Sequence, residues 1–229
     1  MQMKNYIFLI ILILIFIVPL FFIITGKCDF RKKLRYAVPA ILISGFLFLL
    51  WDIRFTEAGV WSYDADFTLG IFYKGLPLEQ WLFYLIIPCS GLVIYEVIKA
   101  RFSALDWNNA FTAIGLLMVV GLAIAAYIYC VQVYTFYCSL LTAVYLGYTI
   151  FRMQFKSHLT HFFLSYLVVL VPYFLLSGIL SWNLAIEYHQ EQVLNVRFWM
   201  MPVENLVFLF LLMLMNTTVY EYLSERRFF

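Results

Sequence analysis

Two glutamates, Glu79 and Glu204, stand at matching places in the chain, each two residues after a proline and at the start of a long apolar run. The prolines are Pro77 and Pro202, so both motifs have the form Pro-x-Glu. A proline fits the first turn of a helix and a carboxylate there meets the positive end of the helix dipole, so an ordinary helix start is one interpretation. The other is chemical, because a carboxylate at the edge of a membrane is costly and usually functional.

Aromatic residues crowd the loops and helix starts around both motifs: Trp51, Trp61, Tyr63, Phe83, Tyr188, Trp199 and Phe208. An apolar pocket can keep a carboxyl group protonated, so that it acts as an acid. Ring faces can stabilise a carbocation that water would quench. The combination predicts proton-initiated carbocation chemistry on an apolar substrate. Asp52, beside Trp51, fits a second proton-handling role and an ordinary helix end equally well.

The composition places these motifs in a membrane protein. Of 229 residues, 65% are hydrophobic and 12% are charged, whereas an average soluble domain is about a quarter charged. A water-soluble globule is therefore excluded. The net charge of +2 is too balanced for neutralising phosphates, so nucleic-acid binding is not expected. The histidines do not form a ligand cluster and the cysteines form no CxxC pair, so no metal site is predicted.

Seven apolar stretches are each long enough to cross the bilayer as a helix, which predicts an all-α integral membrane protein. They cover residues 6–24, 34–51, 78–98, 110–130, 131–151, 160–182 and 199–223. Most basic residues follow the first, third, fifth and seventh spans. The positive-inside rule then predicts an N-terminus outside and a C-terminus in the cytoplasm. The expected location is a bacterial or archaeal cytoplasmic membrane.

An internal repeat relates the two halves of the chain with an offset of 125 residues, which pairs Glu79 with Glu204 and Phe83 with Phe208. The spans then form two three-span repeats, predicted as domains 1–104 and 131–229, with a linker span at 105–130. Because the linker adds one crossing, the repeats should be parallel, related by a pseudo-two-fold axis along the membrane normal.

Upstream of the second motif, the repeat is predicted to contain a gap. The pair Trp51-Asp52 resembles Trp182-Asn183, and this match makes the second loop six residues shorter than the first. Asn183 would then hold the place of Asp52. As an amide it could support a water or an acid by hydrogen bonds, but it could not itself be the base.

The first copy resembles the lycopene cyclase domain of the small membrane-bound carotenoid cyclases, in which two three-span units act as a heterodimer or as one fused chain. The resemblance is carried by Trp51-Asp52, by Gly59-Val60-Trp61-Ser62-Tyr63, and by the run from Pro77 to Phe83. The second copy, from Trp182 to Asn205, resembles the partner unit. Members commonly carry a second carboxylate directly after the first, where this chain has Gln80 and Asn205.

The resemblance implies a redox-neutral isomerase, of the intramolecular lyase type, that needs no cofactor and converts the linear ψ end groups of lycopene to β-ionone rings. It implies Glu79 and Glu204 as the proton-handling residues. Asp52 is a third candidate, as a second proton acceptor or orienter, because of its place beside Trp51. The carotenoid would come from the bilayer. The predicted substrate contacts are Trp51, Trp61, Tyr63, Pro77, Phe83, Asn183, Tyr188, Trp199, Pro202 and Phe208.

Three other functions stay open from the sequence. Gln80 and Asn205 leave room for a carotenoid hydratase. A non-catalytic subunit of a carotenoid-making complex is the second alternative, and the oligomeric state is likewise open. The third is a small proton-coupled transporter enclosed by two parallel repeats, although the chain lacks the matching pair of broken helices typical of such proteins.

Overall fold

The computed structural model describes residues 6–25, 30–152, 155–182, 186–198 and 201–225. Within these ranges, seven helices are long and apolar enough to cross a membrane, which confirms the predicted all-α membrane fold. They are α1 (Ile7–Thr25), α2 (Phe30–Glu57), α3 (Leu78–Arg101), α4 (Asn108–Ile128), α5 (Val133–Phe151), α6 (Leu159–Trp182) and α7 (Glu204–Glu225). The short strands are β1 (Trp61–Tyr63), β2 (Phe72–Tyr73), β3 (Leu76–Pro77), β4 (Ile186–Tyr188), β5 (Arg197–Phe198) and β6 (Met201–Pro202).

Two helix boundaries differ from the predicted spans in ways that affect the site. Helix α2 continues to Glu57, so Asp52 lies inside the helix and is 1% exposed. Helix α7 begins at Glu204, because Met201 and Pro202 before it belong to strand β6, in which Pro202 pairs with Arg197 of β5. The motif prolines therefore belong to short strands that lead directly into α3 and α7.

The two halves fold alike, with α1 to α3 corresponding to α5 to α7 and β1 to β3 corresponding to β4 to β6 at the offset of 125. The offset holds inside the loops as well. The Ile71 carbonyl accepts a hydrogen bond from the Leu78 amide, and the Val196 carbonyl accepts one from the Val203 amide. One position has a left-handed backbone in both halves: Gly70 (φ 74°) in the first and Asn195 (φ 59°) in the second. Gly and Asn are residue types that tolerate this conformation.

The predicted gap in the second loop is wrong. Because the offset of 125 runs unbroken through both loops, the residue that corresponds to Asp52 is Ser177, and Tyr188 corresponds to Tyr63. Asn183 lies outside the described residues. The apparent match of Trp51 with Trp182 reflects only that both residues lie near the same end of a membrane helix.

The repeats pack against each other through reciprocal helix pairs. Helix α2 contacts α7, and its counterpart α6 contacts α3, while α1 packs on α3 and α5 packs on α7. Helix α4 contacts α5 and α6 at the edge of the bundle. The core therefore lies between the repeats, and both loops that precede α3 and α7 lie on one side of the molecule. We call this the loop side and the opposite one the basic side.

On the basic side, two buried glutamates join the repeats. Glu96 accepts hydrogen bonds from Lys33 Nζ at 2.5 Å and from the Tyr220 hydroxyl at 2.8 Å. Its counterpart Glu221 lies 2.6 Å from Lys99 Nζ. The lysines balance the buried charges, which makes this cluster an anchor between α3 and α7.

His158 lies beside the same cluster, which the sequence did not predict. His158 Nε2 is 2.9 Å from Glu225 Oε1 and 3.8 Å from Glu221 Oε2. These three side chains could reach one ion, since their ligand atoms lie within 4.8 Å of one another. Lys99 already pairs with Glu221, however, so this charge is balanced without a metal.

A close approach of α2 and α3 depends on Gly45. A Cβ atom there would lie 2.5 Å from the Tyr84 carbonyl oxygen. That carbonyl lacks its usual helical donor because Pro88, four residues later, has no N–H group. The approach brings Tyr84 within hydrogen-bond distance of Asp52 on the loop side.

Candidate active site

A cavity lies between the two repeats on the loop side. Matching residues of both repeats line it, which shows that the pseudo-two-fold axis passes through it. The first repeat contributes Asp52, Trp61, Tyr63, Gln80, Phe83 and Tyr84, and the second contributes Ser177, Ile186, Tyr188, Asn205 and Phe208.

The two loops meet over this cavity in an antiparallel strand pair. Trp61 pairs with Tyr188 and Tyr63 pairs with Ile186, while Ser62 faces Glu187 at the centre. Ser62 and Glu187 are themselves related by the offset of 125, so the axis passes between them. The strand pair joins the two loops beside the site.

Asp52 is the centre of the polar contacts in the first half of the cavity. Oδ1 accepts from Trp61 Nε1 at 2.8 Å and from the Tyr63 hydroxyl at 3.2 Å. Oδ2 accepts from Gln80 Nε2 at 2.6 Å and from the Tyr84 hydroxyl at 2.8 Å. All four donors are neutral, and no cationic side chain of the described residues pairs with this carboxylate.

The second half of the cavity repeats this arrangement without a carboxylate. Asn205 Nδ2 donates to the Tyr188 hydroxyl at 2.9 Å and lies 3.4 Å from Ser177 Oγ. The Tyr134 hydroxyl donates to Asn205 Oδ1 at 3.0 Å. Of the described residues that line the cavity, Asp52 is therefore the single carboxylate, and none is a histidine or a cysteine. The cavity thus has one acid on one side of a pseudo-symmetric frame.

Aromatic rings form the rest of the wall. The Trp61 ring lies 5.0 Å from the Tyr134 ring in an edge-on arrangement and stacks on Phe55 at 5.4 Å, centroid to centroid. Phe83 and Phe208 occupy corresponding places in the two repeats and both line the cavity. The site therefore combines one carboxyl group with several ring faces.

Glu79 and Glu204 lie behind this wall. Glu79 Oε1 accepts from the Leu69 amide at 2.6 Å, and Glu204 Oε1 accepts from the Leu194 amide at 2.7 Å. Thr135 Oγ1 adds a third contact, at 2.6 Å from Glu204 Oε1. Both glutamates are buried and neither lines the cavity. Each carboxyl group thus fastens the loop that crosses its own half of the site.

The predicted substrate contacts divide into three groups. Trp61, Tyr63, Phe83, Tyr188 and Phe208 line the cavity, together with the predicted acid Asp52. Three others stand outside it: Trp51 packs against Phe208 at 5.3 Å, and Pro77 and Pro202 are buried in the strands that precede α3 and α7. Asn183 and Trp199 lie outside the described residues.

Several lining residues were not predicted as site residues. Gln80 and Asn205 stood out only as departures from the resemblance, yet their side chains reach the cavity. Tyr84 follows Gln80 by one helical turn, a spacing that places both on one helix face. Tyr134 and Tyr173 lie inside membrane helices. Placing a hydroxyl group there costs free energy, so these two tyrosines could have been recognised in the sequence as candidate site residues.

Tyr63 and Tyr188, at corresponding places in the two loops, both keep their hydroxyl protons. Burial raises the pKa of Tyr63 well above its ordinary value, and the nearby Asp52 carboxylate raises it further. Burial also raises the pKa of Tyr188. Both hydroxyl groups therefore stay protonated across the ordinary pH range, so Tyr63 donates to Asp52 as a neutral phenol and Tyr188 accepts from Asn205 as one.

Replacing Tyr63 with phenylalanine tests this donor. Tyr63→Phe removes one neutral hydrogen bond to Asp52, which contributes about 1 kcal/mol, or about fivefold in rate. We expect turnover of an apolar substrate to fall by about that factor at unchanged protein level. Tyr73→Phe, a change at an exposed tyrosine of the same loop, is the control and should have no effect. An unchanged rate in Tyr63→Phe would show that this hydroxyl does not position the carboxylate.

The fold and the cavity define an integral membrane protein of two fused three-helix repeats that enclose an aromatic site with one buried acid. The sequence model of the family described as Lycopene cyclase matches residues 5–98 and 131–223. These two regions cover most of the chain and leave out α4, so the chain belongs to the lycopene cyclase family. No curated protein and no solved structure matches it significantly.

Proposed function

We propose that this protein converts the linear ψ end group of lycopene to a β-ionone ring, with Asp52 handling the proton. Family membership supports a carotenoid cyclase in general. The observation that carries the finer proposal is the position of Asp52, the one carboxylate of the described residues that reaches the aromatic cavity.

The surroundings of Asp52 suit a group that both gives and takes a proton. Burial without a cationic partner favours the neutral acid. Four hydrogen-bond donors favour the carboxylate. A group held between these opposing effects can protonate a substrate and later recover a proton, which a redox-neutral isomerisation requires.

A single acid is then sufficient for both proton transfers of the reaction. Asp52 gives its proton to the terminal double bond of the ψ end group, leaving a carboxylate and a tertiary cation. The electron pair of the internal double bond attacks the cation, which closes the ring and moves the positive charge onto a ring carbon. A ring proton passes to the carboxylate, so the ring double bond forms and Asp52 is again an acid. No electron is gained or lost.

The aromatic wall supplies the stabilisation that this cation needs. Trp61, Phe83 and Phe208 line the same cavity as Asp52, and a cation over a ring face gains about 2 kcal/mol or more when water is excluded. Asp52 is buried, and the exclusion of water at the site prevents capture of the cation as an alcohol. These features favour cyclisation over hydration.

For Glu79 and Glu204 we propose a positioning role. Each holds the loop that carries Tyr63 or Tyr188 through a backbone amide, and each precedes the residue whose amide side chain enters the cavity. The direct proton-handling role that the sequence implies for them stays a prediction, and the geometry favours Asp52. We also propose that the basic side faces the cytoplasm, as the positive-inside rule predicts, so that the cavity lies toward the outer surface.

Expression in a lycopene-accumulating host tests the function. We expect lycopene to be replaced by cyclic products of unchanged mass, γ-carotene or β-carotene. Purified protein in D2O should place one deuterium in each ring formed, because the added proton stays on a methylene carbon of the ring. A product heavier by one water would identify a hydratase instead. Unchanged lycopene, with the protein present in the membrane, would contradict the proposal.

A further inference from the structure

A second, larger cavity adjoins the first between α1, α3 and α6. We propose that this groove binds the polyene chain of the same carotenoid whose end group lies beside Asp52. The inference rests on the proposed function, since it assigns the rest of that substrate to a place in the bundle.

The cavity and the groove adjoin at Tyr173. Tyr173 lines both, and its ring lies 6.4 Å from that of Phe83. Along α3 the lining passes from Phe83 in the cavity to Ile87 in the groove, one turn further on. Along α1 it passes from Phe8 to Ile11 in the same way. A linear molecule can therefore extend past Tyr173 without leaving the protein surface.

The chemistry of the groove suits a hydrocarbon. Its walls are chiefly Leu, Ile, Val and Pro side chains. The Ser90 hydroxyl is already used, because it donates to the Ile86 carbonyl at 2.7 Å. Leu14, Leu167 and Val171 are more than half exposed, so the groove is open to the bilayer from which such a molecule would enter.

The length of the groove sets the direction of the bound chain. Between Ile87 and Phe102, α3 and its C-terminal cap carry the groove for about 22 Å at the helical rise. The hydrocarbon core is about 30 Å thick. An extended polyene therefore lies along the membrane normal, and its far end is near Phe102 and Trp107 on the basic side.

This direction has a kinetic consequence. The two ends of the carotenoid lie at opposite sides of the membrane, and only the end in the cavity meets the single carboxylate. Each binding event therefore cyclises one end. A carotenoid with two reactive ends must leave the groove and bind again in the reverse direction before its second end reacts.

Filling the groove tests the proposal. Val168→Trp places a bulky side chain on the groove wall of α6, where Val168 is about half exposed. Val144→Trp makes the same change on the lipid-facing side of α5, where Val144 is exposed and does not line the groove. We expect the amount of lycopene that copurifies with the protein to fall at least tenfold in Val168→Trp and to stay at the wild-type level in Val144→Trp.

Turnover provides the second readout. We compare lycopene with a short terpenoid that has the same ψ end group and no polyene chain. The ratio of kcat/KM for the long to the short substrate should fall at least tenfold in Val168→Trp, and monocyclic product should appear free in the vesicles before bicyclic product. Equal lycopene retention in both variants, or a lipid acyl chain retained in its place, would overturn the groove assignment. If the wild-type protein retains lycopene but converts neither substrate, the proposed function fails while the groove assignment stands.

Discussion

Asp52→Asn is expected to lower cyclisation at least a hundredfold while the protein remains folded in the membrane. An amide keeps the shape of the side chain, but it can neither protonate the ψ end group nor recover the ring proton. General acid–base catalysis contributes about 10²–10⁴-fold to a rate, and here one group serves both steps. The loss should be measured as product per amount of membrane-inserted protein, with equal recovery and melting temperature in detergent as the test of folding.

A matched control for this variant is Asp66→Asn. Asp66 lies in the same loop, and its side chain is exposed, so the same chemical change there should leave the rate within twofold of the wild type. If Asp52→Asn retained more than a tenth of the activity, another group would have to supply the proton. Glu79 and Glu204 would then be the next candidates.

Glu204→Ala is expected to destabilise the protein by about 2–4 kcal/mol, because it leaves the Leu194 amide and the Thr135 hydroxyl without their acceptor. Glu79→Ala removes one such contact, to the Leu69 amide, and should cost about 1–3 kcal/mol. Both changes should also reduce activity, since the loops over the cavity lose their attachment. Thermal unfolding in detergent and the fraction of protein that remains monodisperse measure the effect.

The glutamine variants separate positioning from catalysis. A glutamine carbonyl can still accept the backbone hydrogen bond, so Glu79→Gln and Glu204→Gln should keep activity within about tenfold of the wild type, a loss of about 1.4 kcal/mol at most. Glu191→Ala, at an exposed glutamate of the second loop, serves as the control for loss of charge. Inactive glutamine variants of normal stability would instead assign the proton to the glutamates.

The two repeats that line the cavity are related by pseudo-symmetry, but among the described residues only the first repeat places a carboxylate in it. The offset of 125 residues relates nearly every element of the cavity, but Asp52 corresponds to Ser177. A duplicated unit would begin with equal halves, and this chain keeps the acid in only one of them. The second half keeps the hydrogen-bonding amide and tyrosine, which shape the cavity without a second charge. A carboxylate at the position of Ser177 would line the same cavity as Asp52. Its negative charge would raise the free-energy cost of burying the Asp52 carboxylate.

Much of the fold could be predicted because its causes are local in the chain. A run of about twenty apolar residues can satisfy its backbone in lipid only as a helix, so seven spans followed from composition along the chain. The repeat was visible as spaced identities such as Glu79 with Glu204. The Pro-x-Glu motif marked where two helices begin, and that position was correct for α3 and nearly so for α7.

Which of the candidate carboxyl groups lines the cavity could not be read from the chain. Successive residues on a helix point about 100° apart, so Glu79 and Gln80 face different surroundings, and only the packing of α2 against α3 decides which one meets the cavity. Asp52 reaches the site because α2 continues past the predicted end and Gly45 allows the close approach. Neither the full length of α2 nor the close approach at Gly45 can be recognised from the neighbouring residues in the sequence.

What the sequence by itself determined is a membrane protein of two parallel three-helix units with acids and aromatic rings near one surface. Only the tertiary structure decided that these groups form one cavity, because its partners come from segments more than a hundred residues apart, as in the pairing of Trp61 with Tyr188. The groove beyond Tyr173 likewise exists only where α1, α3 and α6 meet. Such contacts depend on which helix faces pack together, and hydropathy along a uniformly apolar helix does not specify its faces.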